Sequence, residues 1–131
     1  ALAMALEEGL ESRFERHIVN ARALRAGLKA LGLQPLAPDG FQAPPLTAVN
    51  VPENIDEARI RRTLLTEYGI EIGAGFGPLA GKIWRIGLMG ESSKASNVLI
   101  LLECLESLLL EQGYEFGIGD SLVEAHKVLS V

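Results

Sequence analysis

The stretch Gly73-Ala74-Gly75-Phe76-Gly77-Pro78-Leu79-Ala80-Gly81-Lys82-Ile83-Trp84-Arg85-Ile86-Gly87-Leu88-Met89-Gly90 decides the reading of the chain. Its glycine-studded first half leads into a short apolar run, Ile83 to Leu88, that reads as a strand. Side chains alternate across a strand, so Ile83, Arg85 and Gly87 share one face and Trp84, Ile86 and Leu88 the other. The Trp-Ile-Leu face suits a layer of helices. The face carrying Arg85 is then the open one, and Gly87 leaves room beside the guanidinium. A guanidinium among buried residues needs an anion, and its planar fork of donors matches a carboxylate. Spacing alone leaves two readings open. The commoner is a solvated arginine paired with a neighbouring glutamate for little net stability; the other is a carboxylate-binding site.

The glycines ahead of that strand are equally two-sided. Gly73, Gly75 and Gly77 stand at alternate positions and predict either a tightly bent connection that closes over a ligand or a plain wide turn. Neither a dinucleotide fingerprint nor a Walker loop is present, so a phosphate cradle is disfavoured.

Working outward, Leu10, Phe14, His17, Ala21, Leu24, Leu28 and Leu31 form one apolar stripe at helical spacing, which predicts a long first helix ending at Gly32. The helical pattern begins at Ala1 without a capping residue. A helix over 1–31 would be ~46 Å long, against a diameter of about 36 Å for a globule of this size. Its first turns are therefore expected to protrude, as in a chain cut from a larger one. Leu33–Leu36 is a short candidate strand, and Leu46–Val51 is a better one, closed by Pro52. Asp56 caps a helix whose inner face is Ile60, Leu64 and Tyr68, with Ile55 and Ile60 at the staple positions and Gly69 as its stop. Ile70–Ile72 is a brief strand. A last long helix runs from Ser92 or Ser93 to Gln112, buries Val98, Leu101, Leu102, Leu105, Leu108 and Leu109, and stops at Gly113. Asp120–Leu129 is a shorter amphipathic helix. Short links and helical crossovers predict an α+β two-layer sandwich: a small, mostly antiparallel sheet of three or four strands, helices on one face, and a long helix in front. The expected division is a linking helix over 1–32, a sandwich over 33–113 and a tail over 114–131, all one domain.

The chain has 131 residues, 48% hydrophobic and 22% charged, with a net charge of -5. It has no basic stripe for nucleic acid. Its longest apolar run, Val98 to Leu102, is far short of a membrane span. The opening has no basic region and meets Glu7 and Glu8 at once, which predicts a cytoplasmic chain without a signal peptide. Cys104 has no partner cysteine and falls in a leucine-rich helix, as a packed hydrophobe would. His17 and His126 have no metal-ligand spacing around them, so no metal site is expected. Glu7, Glu8, Glu11 and Glu15 read as a solvated helix face with Arg13, Arg16 and Arg22.

The run from Glu71 to Gly90 closely resembles the C-terminal segment of class V aminotransferases of the alanine–glyoxylate and serine–glyoxylate (serine–pyruvate) type. The likeness extends through Glu8-Gly9-Leu10-Glu11, Arg16-His17 and Leu28-Lys29-Ala30-Leu31-Gly32-Leu33, and through the last long helix. It implies a fold-type I, dimeric enzyme that uses pyridoxal phosphate to move an amino group from alanine or serine to glyoxylate or another 2-oxo acid. It implies too that Arg85 binds the substrate α-carboxylate, with Gly73, Gly75 and Gly77 as an active-site loop. The family's Schiff-base lysine and its phosphate-binding residues belong to a large domain outside this chain, and Lys29, Lys82, Lys94 and Lys127 are outside the lysine motif. The chain alone is accordingly expected to be inactive, with no cofactor bound and no catalytic residue of its own. The rival expectation is a free-standing interaction or sensing domain, or an accessory subunit of a redox complex. A desulfurase-like lyase is disfavoured by the lack of a reactive cysteine loop.

Overall fold

The apolar strand around Trp84 lies at the centre of the sheet. In the computed structural model, which describes residues 1–131, three strands pair in the order β1-β3-β2: β1 (Leu46–Asn50), β2 (Gly73–Ala74) and β3 (Ile83–Gly87). Both pairings are antiparallel, and the register sets Ala48 opposite Arg85 on one side and Gly73 opposite it on the other. The helices are α1 (Leu2–Glu8), α2 (Leu10–Ala30), α3 (Glu57–Tyr68), α4 (Ala95–Glu111) and α5 (Asp120–Leu129). The architecture is α+β, as the order of apolar segments implied.

Trp84, Ile86 and Leu88 join Leu24, Leu28, Leu64, Leu102, Leu105 and Leu109 in one core of 20 buried residues. Trp84 is fully buried; a cavity in its place would cost ~3–5 kcal/mol. Helices α2, α4 and α5 approach closely because Gly27 has no side chain. A Cβ there would fall 2.3 Å from a methyl of Leu102 and 3.0 Å from the Ser121 carbonyl. Helix α3 starts as the sequence signals it: the Asp56 carboxylate accepts the Arg59 N–H at 3.1 Å. It ends at Gly69, whose φ of 66° is left-handed. The Gln112 side chain bonds both the N–H and the C=O of Asp56, tying the start of α3 to the end of α4.

Five expectations need correction. The first helix is broken at Gly9, whose φ of 85° and ψ of 141° leave the helical region; the stripe fails only in its first half, since Leu10 and Phe14 are exposed while Ala21, Leu24, Leu28 and Leu31 are buried. Leu33–Leu36 contributes one bridge, Pro35 to Val49, because Pro35 has no N–H to extend a ladder. Ile70–Ile72 is no strand: the Ile70 N–H is spent on the Leu64 carbonyl at the end of α3, and pairing starts at Gly73. The last long helix begins at Ala95, after a 3₁₀ turn over Gly90–Ser92 whose geometry Ser92 holds by bonding Met89. Tyr68, placed by spacing on the inner face of α3, is half exposed at the last position of its helix.

One buried carboxylate fastens the C-terminal helix. Glu106 in α4 is 7% exposed and accepts the Gly119 N–H at 2.9 Å together with the Ser121 hydroxyl. Glu106→Ala strands both donors and should destabilise the chain by about 2–3 kcal/mol in urea denaturation. An unchanged midpoint would remove this bond pair from the fold's support.

Candidate functional site: an arginine on the open face of the sheet

Arg85 emerges from the central strand between two small neighbours, Ala48 and Gly73. The guanidinium lies back over Gly73. A Cβ at that glycine would stand 3.0 Å from Nη2 and 3.3 Å from Cζ, so no other residue fits without moving the arginine. Nε donates to the Ala74 carbonyl at 2.7 Å. The Phe76 ring closes the other side, its centroid 4.0 Å from Cζ, a cation–π contact. Phe76 is 71% exposed, so it acts as a flap over the arginine rather than as core.

The outer edge of the guanidinium is free. The chain's ion pairs are Arg13–Glu8, Arg16–Glu8, Lys29–Asp39, Arg61–Glu57 and Lys127–Glu124, and none involves Arg85. Its only hydrogen bond uses Nε, and neither Nη1 nor Nη2 is among the buried atoms without a partner. Nη1 and Nη2 thus make no hydrogen bond within the chain, and neither is sealed in the interior. A carboxylate accepts a fork of this kind in bidentate fashion.

The three alternate glycines have different tasks. Gly73 makes way for the guanidinium. Gly75 is packed tight, since a Cβ there would sit 2.1 Å from the Leu79 carbonyl and 2.8 Å from Ile83. Gly77 begins a 3₁₀ turn through Leu79. The loop is thus a bent, internally bonded connection that carries Phe76, with Leu79, Ala80 and Lys82 N–H groups all satisfied within it. It also corrects the reading of Ile83. That residue shares Arg85's face but is only 3% exposed, because the glycine loop folds over it.

A second arginine provides a contrast. Arg25 lines a cavity of about 270 Å³ with Leu36, Phe41, Leu46 and Thr47. Its Nη1 is buried without a partner, and burial pulls its pKa below the usual range. That arginine has a buried nitrogen without a partner, whereas Arg85 has none.

Sequence reasoning missed a group on the far side of Arg85's strand. Arg16, His17 and Asn20 of α2 converge on the turn after β3. Glu8, expected on a solvated face, grips Arg16 through Nε and Nη2 and Arg13 through Nη1. The signal was there: Arg16 and Asn20 lie in line with buried Leu24 and Leu28 at steps of four, so the polar pair continues a buried face. Hydrogen bonding from Arg16, foremost, and then from Arg13 holds the Glu8 carboxyl at about 2. Since that lies below the unfolded value, the latch stabilises the chain fully above pH ~4.5 and is lost as pH falls toward 2. Glu8→Gln should flatten the decline of stability across that window in acid titration followed by circular dichroism; an unaltered acid limb refutes the latch.

None of the four lysines is buried: Lys29 and Lys127 pair with Asp39 and Glu124, and Lys82 and Lys94 are exposed. These residues alone do not make a site that could hold an aldehyde cofactor through a sequestered amine. Cys104 is buried, and burial raises its thiol pKa, which leaves it inert. No helix is long and apolar enough to cross a membrane.

No family model matches the chain. Over 122 residues it is 48% identical to the (S)-ureidoglycine–glyoxylate transaminase of Bacillus subtilis, covering 93% of this chain and 29% of that protein. The crystal structure of ureidoglycine–glyoxylate aminotransferase from Bacillus subtilis superposes with a TM-score of 0.93 at 46% identity, over 98% of this chain and 33% of that one. The small subunit of the soluble hydrogenase of Synechococcus is 37% identical over 99% of this chain and 34% of its own length. The chain thus spans about a third of the length of the relatives it matches.

Proposed function

We propose that this chain, a homologue of the class V aminotransferases that matches their C-terminal part, is the closing small domain of a pyridoxal-phosphate-dependent transaminase and supplies its substrate-carboxylate clamp. The observation that carries the reading is the free outer edge of Arg85, held from behind by Ala74 and Phe76 and paired with no carboxylate of its own. A 2-amino or 2-oxo acid presents the complementary group. Bidentate pairing at Nη1 and Nη2 fixes the α-carbon relative to the sheet, which positions its C–H bond for proton transfer. Phe76 excludes water from one side of the pair and so strengthens it.

The cofactor and its lysine would come from the remaining two-thirds of the protein, since no amine here is placed to bind an aldehyde. Leu2, Leu6, Leu10 and Phe14 support such a partner domain. All four are more than half exposed along α1 and the start of α2, an apolar surface that calls for cover. The amino donor and acceptor of choice are alanine or serine and glyoxylate, which agrees with the glyoxylate named for the Bacillus subtilis relative.

A second reading, an accessory subunit of a redox complex, is favoured by the name of the Synechococcus relative. Visible absorbance from a bound pyridoxal cofactor in the purified full-length protein, together with transfer of an amino group from alanine or serine to glyoxylate, separates the two. In the transaminase, Arg85→Ala should raise substrate KM and lower kcat/KM by ~2–4 kcal/mol. Arg85→Lys should recover only part of this, because the fork is lost with the charge kept. Unchanged kinetics in Arg85→Ala would take Arg85 out of the site.

A further inference from the structure

Two motifs far apart in sequence, Glu8-Gly9 with Arg16-His17 and the run from Arg85 to Gly90, meet around one residue, Gly90. The Gly90 N–H donates to His17 Nε2 at 3.1 Å, and the Gly90 carbonyl accepts from Arg16 Nη1 at 3.0 Å. The same Arg16 nitrogen reaches the Ser93 carbonyl at 2.6 Å, while Asn20 donates to the Ser93 hydroxyl at 3.2 Å. His17 Nδ1 bonds the Arg13 carbonyl at 2.7 Å, which requires the proton on Nδ1 and leaves Nε2 as the acceptor that Gly90 needs. Glu8, the last residue of α1, holds Arg16 from behind.

This turn is the exit of Arg85's strand. Gly87 shares Arg85's face, and the Met89 methyl lies 3.5 Å from where a Gly87 Cβ would be. Met89 therefore lies along the face that presents the guanidinium, and it sits one residue before the doubly bonded Gly90. Left unbonded, a turn of this glycine-serine composition would sample several conformations, and ordering it would be charged against substrate binding.

We propose that Arg16 and His17 are positioning residues for substrate: by fixing Gly90 they hold the end of β3 and Met89 beside Arg85, and Glu8 keeps Arg16 in that role. The proposal rests on the reading of Arg85 as the carboxylate clamp. The pair does not touch substrate and acts through the turn.

A double-mutant cycle in the full-length transaminase tests it, with thermal midpoints recorded for each variant. Arg16→Ala and His17→Ala should each raise amino-acid KM about 10-fold with kcat changed less than about 3-fold, and each should add under about 2-fold once Arg85 is alanine. His17→Gln, whose amide oxygen can accept the Gly90 N–H, should restore most of the lost affinity. Should the alanine variants not fold, Arg16→Lys enters the same cycle: it keeps the charge, loses the fork, and should raise KM about 3-fold in an Arg85-dependent way. A KM effect that persists undiminished beside Arg85→Ala overturns the positioning role while leaving the clamp intact, as does an unchanged KM in a folded variant. An unchanged KM in Arg85→Ala alone overturns the clamp itself and the positioning role with it.

Discussion

A guanidinium carries five N–H donors in a rigid plane, and where they are spent decides what an arginine is for. In Arg61 the fork closes on Glu57, whose carboxyl is held below its usual range chiefly by that hydrogen bond. In Arg16 every nitrogen is used inside the fold. In Arg85 the fold uses only Nε and the flat face, and Nη1 and Nη2 are left without a hydrogen-bond partner in the chain. The carbonyl of Ala74 and the ring of Phe76 orient the charge without cancelling it. The rest of the site follows from this constraint: small residues at Ala48 and Gly73 on the flanking strands, and a bent glycine loop that brings Phe76 to the guanidinium.

The same economy of backbone groups holds the loops. Turns at helix ends leave orphan N–H and C=O groups, and here side chains from other segments satisfy them. Glu106 in α4 takes the Gly119 N–H before α5, and Tyr114 donates to the Leu31 carbonyl at 2.7 Å where α2 ends. Arg16 and His17 take both groups of Gly90 ahead of α4. Each contact joins segments distant in sequence, which is why a chain with so small a sheet keeps long irregular connections in fixed shapes.

Local signals were legible in the sequence wherever one residue fixes local geometry. Asp56 capped its helix, Gly69 ended it, and the alternation over Trp84, Ile86 and Leu88 gave the buried side of the sheet. The side of Arg85 was equally legible, because alternation in a strand is a rule of the backbone. What failed depended on partners. Leu10 and Phe14 carry helical spacing, yet Gly9 turns the chain before them and nothing in these residues covers them. Ile83 alternates onto the open face and is nevertheless buried, because the glycine loop returns over it. The clamp on Gly90 needs Arg16 and His17 to meet a residue more than seventy positions away, and no local pattern carries that distance. The free state of Arg85 could not be read at all: the glutamate that would have neutralised it was a matter of packing, and packing supplied none.

Solvation explains why the arginine and the exposed apolar surface belong to one design. A carboxylate meeting Arg85 on an uncovered sheet would gain only about 0–1 kcal/mol, the worth of a solvent-exposed ion pair. Selecting one small acid from many needs several times that, and the gain comes only when water is excluded from the pair. Phe76 covers one side of the guanidinium. Leu2, Leu6, Leu10 and Phe14 on α1 and α2 are apolar side chains left uncovered in this chain. Glu8 ends the first of these helices and, through Arg16, bonds the turn beyond Arg85's strand. A surface that buries α1 therefore bears mechanically on the strand that presents the guanidinium. The worth of an ion pair on this face is therefore set by how far water is excluded from it.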